Sequence, residues 1–350
     1  MRQTKSRSRH NAPAPARKLA PNVGKRASGG LRTVIDFQQR LRQLDRALEK
    51  EIRRPAQQRT TLQAAIEALS GWSRLRDVGA LLERAERIRG SERADAFGLD
   101  PEFEDLIAPL FVFLYRRWWR VETRGIENVP SAGGALVVAN HAGTMFPYDG
   151  AMLKVALRLE HPSNRELRPL VDDFVFRLPF LASLMARVGG VRACPENAER
   201  LLRQGEVVGV FPEGIRGMQK SFRKRYRVQR FGRGGFVTLS LRTQAPILPV
   251  AIVGAEEIHP LLGTWEWPAK LLGVPYFPLT PTFPWLGPLG LIPLPSKWVI
   301  RFGEPIDLSV RYQPKHLRDP VLVDELTEEV RERVQQMVDE TVRERGPAFF

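Results

Sequence analysis

Two short motifs carry side chains suited to proton transfer and to anion binding. In the first, Asn140 and His141 follow the apolar run 135–139, and Asp149 lies eight positions after the histidine. Histidine is the side chain best matched to proton transfer near neutral pH, and a nearby carboxylate can hold its tautomer and stabilise the imidazolium. The alternative is a structural histidine beside an aspartate that caps the following helix.

The second motif is Phe211-Pro-Glu-Gly-Ile-Arg216, about 70 residues further along the chain. It puts a carboxylate and a guanidinium on one loop. Arginine can bind a phosphate through two parallel hydrogen bonds, and Glu213 could orient Arg216 or accept a hydrogen bond from a substrate hydroxyl. The alternative is a surface turn that carries an ordinary ion pair.

The elements that must position these motifs alternate between strands and helices from about 120 to 310. Short apolar runs predict the strands, which are Ala135–Ala139, Pro169–Val171, Gly189–Ala193, Val207–Phe211, Ile247–Val253 and Trp298–Phe302. Helical patterns predict helices over 150–159, 178–187, 196–204 and 234–243. This alternation predicts an α/β fold with a largely parallel central sheet flanked by helices. Both motifs then fall at the carboxyl edge of the sheet, where open α/β sheets bind ligands.

Composition predicts a division of the chain into three parts. Residues 1–30 hold eight basic residues and no acidic ones, and we expect a disordered arm that either attaches electrostatically to an anion or is a solvated tail. Residues 31–104 are expected to form an N-terminal helical hairpin extension. The α/β domain then covers 105–350, including an interfacial helix at 105–118 and a C-terminal helix at 319–345.

The charge implies an anionic partner. The net charge is +15, and nine basic residues with no acidic one lie between Glu213 and Glu256. Phospholipid headgroups, a phosphorylated co-substrate or nucleic acid would each fit. We find no nucleic-acid fold signature. Because residues 263–296 are rich in Pro, Trp and Leu, they predict a lipid-facing or acyl-chain-lining loop, and we expect peripheral attachment to the cytoplasmic face of a membrane.

Several functional classes are excluded. The single cysteine, Cys194, excludes a disulfide framework and a cysteine-based zinc site. The sequence has no P-loop, no dinucleotide-binding glycine pattern and no G-x-S-x-G motif, which excludes the usual kinases, NAD enzymes and serine hydrolases. The basic N-terminus is followed by no apolar stretch, so we expect neither a signal peptide nor a transmembrane helix.

Taken together, the two motifs resemble those of the glycerolipid acyltransferase superfamily, which contains the 1-acylglycerol-3-phosphate acyltransferases. The resemblance covers about 118–310. Arg187-Val-Gly-Gly-Val-Arg192 and Ala245-Pro-Ile-Leu-Pro-Val-Ala251 resemble the family's third and fourth conserved segments, and Val253-Gly-Ala-Glu-Glu257 resembles the branch that acylates mono- and diacylglycerol. Most of the family has four residues between His and Asp, whereas this sequence has seven.

The resemblance implies transfer of a fatty acyl group from acyl-CoA or acyl-carrier protein to a glycerolipid hydroxyl. Lysophosphatidate or another lysophospholipid is the expected acceptor, and mono- or diacylglycerol is the alternative. His141 would be the general base and Asp149 its orienter. The implied substrate-binding residues are Asn140, Gly143, Glu213, Gly214 and Arg216, and Arg192, Lys220 and Arg233 would contact the acyl donor or headgroups. No metal and no bound cofactor are implied.

The long spacing keeps a catalytically inactive membrane-bound or nucleic-acid-binding protein as a rival interpretation. In one continuous helix, residues eight apart lie about 12 Å apart along the axis. His141 and Asp149 could then not meet, so the sequence requires the segment between them to form a loop, which Gly143 and Pro147 favour.

Overall fold

The computed structural model describes residues 94–144, 146–177 and 181–349. The predicted arm, and the predicted hairpin as far as residue 93, lie outside the described residues. The described chain forms a seven-stranded mixed sheet and a separate two-stranded hairpin.

The strands of the sheet and hairpin, numbered in chain order, are β1 Glu122–Arg124, β2 Ala135–Ala139, β3 Leu167–Val171, β4 Val191–Arg192, β5 Val207–Val210, β6 Ile247–Val253, β7 Gly263–Trp265, β8 Phe277–Leu279 and β9 Val299–Phe302. The order in the large sheet is β1-β9-β6-β2-β5-β3-β4. Every neighbouring pair of this sheet is parallel except β6 and β9. The predicted α/β fold with a largely parallel sheet is therefore confirmed.

Helices cover both faces of the sheet. They are α1 Pro101–Phe113, α2 Tyr148–Glu160, α3 Asp173–Arg177, α4 Leu181–Arg187, α5 Pro195–Arg203, α6 Ile215–Met218, α7 Gly235–Thr243, α8 Glu266–Leu272 and α9 Pro320–Arg345. One apolar cluster holds side chains of α5, α7 and α9, and a second holds side chains of α2. Every residue of β2 and β6 is buried, as expected of central strands covered on both faces.

The helix predicted at 105–118 begins earlier and ends in a wider turn. Asp100 caps α1 by accepting hydrogen bonds from the backbone N–H groups of Glu102 and Phe103, and a π-helical turn over Leu114–Trp118 continues it. Trp119 is fully buried and stacks on Trp298 with the ring centroids 4.7 Å apart. Trp119, which directly follows the helix predicted to be interfacial, therefore belongs to the core.

The Pro-rich stretch after β6 folds as one unit. Strands β7 and β8 pair as an antiparallel hairpin with α8 between them, and a 3₁₀ turn at Gly287–Leu291 follows. Its far end is held by Trp118 and Trp119, whose indole N–H groups donate to the carbonyls of Pro293 and Leu294. Within the described residues, no helix combines the length and the apolar character needed to cross a bilayer.

Candidate active site

The parallel strands β2, β5 and β6 bring their carboxyl ends to one edge of the sheet, and both sequence motifs lie there. His141 follows β2, Glu213 follows β5, and Glu256 follows β6. The Asn140 side chain fixes the end of β2, since its amide donates to the carbonyl of Ile252 at 2.9 Å and accepts from the N–H of Ile252 at 2.7 Å. Asn140 was predicted to bind substrate, but it is buried and this pairing makes it a positioning residue.

His141 and Asp149 form a dyad despite the long spacing. The Nδ1 atom of His141 lies 2.6 Å from Oδ2 of Asp149. Asp149 is fully buried, and its carboxylate also accepts hydrogen bonds from the N–H groups of Ala142 and Gly150, each at 2.8 Å. Asp149 is the second residue of α2 and does not cap it. Because Nδ1 faces the carboxylate, Nε2 of His141 is left to meet a substrate.

The described residues between His141 and Tyr148, the first residue of α2, form a loop, as the spacing required. Gly143 has φ +109°, and a Cβ there would lie 2.9 Å from the carbonyl oxygen of Phe146. Thr144 Oγ1 donates to the carbonyl of His259 at 2.7 Å, and the Tyr276 hydroxyl donates to the carbonyl of Thr144. The loop is thus fastened to the stretch that follows β6. The sequence offered no signal for this contact, because Tyr276 lies 132 residues away from Thr144.

The Glu213 carboxylate joins the two motifs. One oxygen accepts from the N–H of His141 at 2.7 Å, and the other accepts from the N–H of Gln229 at 2.6 Å. Its side chain has no exposed surface and also pairs with Lys220 at 3.3 Å. The predicted roles for Glu213, orienting Arg216 or binding a substrate hydroxyl, therefore do not fit this placement. It holds the backbone of His141 in position.

Lys220 belongs to a buried charge cluster. Its Nζ lies 2.6 Å from Glu256, and its side chain is 4% exposed. Burial alone lowers the pKa of Lys220, but the charges of Glu256 and Glu213 outweigh burial and raise it. The predicted contact of Lys220 with an acyl donor or headgroup is not supported, because its ammonium faces two carboxylates.

The residues that follow β6 complete this cluster. Glu256 accepts from the N–H of Tyr226, and Glu257 accepts from the Tyr226 hydroxyl and from both Nη atoms of Arg345, each Nη at 2.7 Å. The Val253-Gly-Ala-Glu-Glu257 motif thus binds both Tyr226, in the stretch without acidic residues after Glu213, and Arg345 at the end of α9.

Two glycines shape the second motif. Gly217 lies so close to the dyad that a Cβ would fall 2.7 Å from the Cβ of His141, so only glycine fits. Gly214 has φ +56° and ψ −146°, a conformation that is essentially restricted to glycine. The sequence singled out Gly214 but missed Gly217. The predicted substrate contacts of Gly143 and Gly214 remain predictions, and both residues shape the loops around His141.

A cavity of about 570 Å³ opens beside α6. The same short helix touches His141 through Gly217 and lines the cavity through Ile215 and Arg216. Arg216, Arg230 and Arg233 all line it. All three arginines are exposed, and Arg230 also interacts electrostatically with Glu328. Asp172, Asp324 and the buried Glu213 line the cavity as well. The site thus offers three exposed guanidinium groups to an anion, of which the sequence analysis missed Arg230.

The remaining predicted residue lies apart from this cavity. Arg192, at the end of β4, pairs with Asp173 through two hydrogen bonds of 2.6 and 2.8 Å and lines a different, smaller cavity. Its predicted contact with the acyl donor remains a prediction. Among the residues that the structure describes, no cluster of three or more His, Cys, Asp or Glu side chains could hold a metal ion.

Comparison with known proteins gives matches across this site. The family model described as Acyltransferase matches residues 120–253, which include both motifs. The "Uncharacterized protein Rv0502" of Mycobacterium tuberculosis is 50% identical over 266 residues, covering 76% of this chain and 74% of that protein. The bovine "DGAT1/2-independent enzyme synthesizing storage lipids" is 24% identical over 229 residues, covering 65% of this chain and 61% of that protein.

Among solved structures, the chain is similar to the 1-acyl-sn-glycerophosphate (LPA) acyltransferase PlsC of Thermotoga maritima. The sequence identity is 22%, the TM-score is 0.44, and the match covers 75% of this chain and 87% of that one.

The family model spans the histidine dyad and the Pro-Glu-Gly loop that contacts it. Over about three quarters of its length the chain is similar to the mycobacterial protein. This chain therefore belongs to the glycerolipid acyltransferase superfamily.

Proposed function

We propose that this protein transfers a fatty acyl group from a thioester to a hydroxyl group of a lysophospholipid, with His141 as the general base. The observation that carries this proposal is the 2.6 Å contact between His141 and the buried Asp149 carboxylate, next to a cavity lined by three exposed arginines. The dyad supplies a base, and the arginines supply a site for the acceptor's phosphate.

The reaction balances without a covalent enzyme intermediate. Nε2 of His141 takes the proton of the acceptor hydroxyl as its oxygen attacks the thioester carbonyl. The tetrahedral intermediate then expels the thiolate, which receives the proton from the imidazolium, and an ester and a free thiol result. Asp149 stabilises the imidazolium while it exists. Acyl-CoA and acyl-carrier protein are the proposed donors, and both are anionic.

A neutral acceptor, mono- or diacylglycerol, is the second candidate. It is favoured by the sequence likeness to the bovine enzyme, whose name assigns it to storage-lipid synthesis. Arg216 separates the two candidates because a guanidinium that binds phosphate contributes nothing to a neutral lipid.

The experiment offers labelled acyl-CoA or acyl-carrier protein to the purified full chain with lysophosphatidate, other lysophospholipids, monoacylglycerol or diacylglycerol in mixed micelles. Loss of a charge-assisted hydrogen bond should raise the KM for lysophosphatidate about 10- to 100-fold in Arg216→Met. Arg242→Met is the matched control, because Arg242 is exposed on α7 and does not line the cavity.

If the parent acylates mono- or diacylglycerol best and Arg216→Met changes no KM, the acceptor is neutral. No turnover with either donor and any acceptor would contradict the enzymatic proposal. Salt-dependent binding of duplex or single-stranded nucleic acid would then favour the binding-protein interpretation.

A further inference from the structure

The segment that joins β6 to β9 exposes an unusual number of large apolar side chains. Within residues 261–292, here called the apolar segment, Trp267 is 68%, Leu271 73%, Trp285 67% and Leu289 67% exposed. The other large exposed apolar side chains of this segment are Leu262, Trp265, Leu272 and Leu286. Glu266 and Lys270 are its only charged residues, and they pair with each other. A concentration of exposed large apolar side chains in one segment indicates a binding surface.

The apolar segment is folded so that eight of its large side chains are exposed. In α8, the residues buried against the protein are Pro268 and Ala269, whereas Trp267 and Leu271, one turn apart, face solvent. An ordinary surface helix has the opposite arrangement. The segment is also internally braced, because the Trp285 indole donates to the carbonyl of Thr280 at 3.1 Å and the Phe277 and Phe283 rings lie 5.1 Å apart. Its exposed residues are therefore presented by a structured scaffold.

Cationic residues border the apolar segment. The N–H of Phe222 donates to the carbonyl of Leu261 at 2.8 Å, which fixes the 3₁₀ turn Phe222–Lys224 beside the start of the segment. Arg223, Lys224 and Arg225 are exposed on and just after this turn. The stretch 214–255 that contains them has no acidic residue. A cationic turn beside a segment with exposed Trp and Leu side chains matches the chemistry of an anionic lipid surface, where indoles lie at headgroup level and cations contact the phosphates.

We propose that the apolar segment docks this protein on the surface of an anionic phospholipid bilayer, with Trp267, Leu271, Trp285 and Leu289 inserted at the boundary between headgroups and acyl chains. The turn at Phe222–Lys224 contacts the headgroups. This proposal rests on the proposed function for its purpose, because the acceptor is a lipid. The apolar segment also holds the loop between His141 and α2, because the Tyr276 hydroxyl donates to the carbonyl of Thr144. Docking therefore places this loop next to the membrane surface.

The test is flotation of the full chain with two kinds of vesicle, phosphatidylcholine alone and an equal mixture of phosphatidylcholine and phosphatidylglycerol. Trp267→Ser combined with Leu271→Ser should lower the partition coefficient onto mixed vesicles about tenfold or more. Arg223→Glu combined with Lys224→Glu should do the same on mixed vesicles only. The matched control is Val310→Ser combined with Val321→Ser, two exposed apolar residues outside the segment, and it should bind as the parent does.

Two further measurements make the result decisive. Brominated lipids should quench tryptophan fluorescence of the unmodified protein, which tests insertion even if a variant folds poorly. Turnover of a water-soluble short-chain acceptor without vesicles should be equal in parent and segment variants, so a failure of docking is distinguishable from a failure of the chemistry.

Three outcomes would overturn the proposal. One is equal flotation of the parent and the Trp267/Leu271 double variant, which would assign membrane binding to another part of the chain. Another is absence of bromolipid quenching. The third is a parent dimer that the double variant converts to a monomer with unchanged flotation, because the segment would then bind a second copy of the chain.

Discussion

Replacement of Glu213 by glutamine tests whether this carboxylate positions His141 or binds substrate. Glutamine keeps the size of the side chain but can accept with only one of its two terminal atoms. Glu213 now accepts from the N–H groups of His141 at 2.7 Å and of Gln229 at 2.6 Å. The amide NH₂ would face one of these donors, and a buried donor without a partner costs about 1–3 kcal/mol. Lys220 would also lose one of its two carboxylate partners.

We therefore expect Glu213→Gln to lower the free energy of unfolding by about 2–4 kcal/mol. Urea denaturation followed by circular dichroism measures this as a lower midpoint at unchanged slope. Turnover should fall through kcat, because His141 is displaced, while the KM for the acceptor stays near the parent value. Arg216→Gln is the control, since its exposed side chain should change stability by no more than about 0.5 kcal/mol.

The reasoning would be refuted by the reverse pattern. If Glu213→Gln leaves the urea midpoint unchanged and raises the KM for the acceptor, Glu213 contacts the substrate, as its sequence position first indicated.

Three other substitutions probe the same site. Asp149→Asn should lower kcat about 10²–10⁴-fold, measured by acyl transfer, because the imidazolium of His141 loses its carboxylate; a smaller loss would show that the dyad is structural. Tyr276→Phe removes the hydroxyl that holds the Thr144 carbonyl and should lower kcat up to about tenfold with unchanged KM values; a raised KM would instead indicate substrate contact. His259→Phe should make the free energy of unfolding less dependent on pH, as measured by urea unfolding at about pH 5 and about pH 7, which bracket the ordinary histidine pKa.

The sign of the His259 effect follows from burial. Burial lowers the pKa of His259 from 6.5 to about 4. Between these values the unfolded chain binds a proton that the folded chain does not, so this group's contribution to stability is complete above the unfolded pKa and is lost as the pH falls toward 4. The loss between pH 7 and pH 5 should be about 2 kcal/mol. If His259→Phe and the parent lose equal stability over this range, His259 does not titrate in this way.

Patterns local in sequence predicted most of the fold. The apolar runs of β2 and β6 matched the observed strands because a parallel strand buried on both faces has few polar residues to blur its ends. By contrast β1, Glu122–Arg124, is short, charged and half-buried throughout. It is a strand because it pairs with β9, almost 180 residues later, and no local pattern reports such a pairing.

The site shows the same division. The residue types of His141 and Asp149 indicated their chemistry, and the required loop between them was confirmed. The roles of Glu213 and Lys220 could not be predicted, because Lys220 pairs with both Glu213 and Glu256, and Glu256 follows a different strand. From sequence alone, a charged residue near a catalytic motif indicates substrate binding. Only the fold shows that its partners are other side chains of the same protein.

The most direct test of the proposed catalysis is acyl transfer by the purified full chain and its His141→Ala variant, with the acceptor that the parent uses best. His316→Ala is the control, because His316 lies in the 3₁₀ turn Pro314–Arg318, outside the dyad and its cavity. We predict that His141→Ala loses about 10²–10⁴-fold in kcat with a urea midpoint close to that of the parent, while His316→Ala keeps its turnover. Turnover by His141→Ala within a few-fold of the parent would contradict the assignment of His141 as the general base.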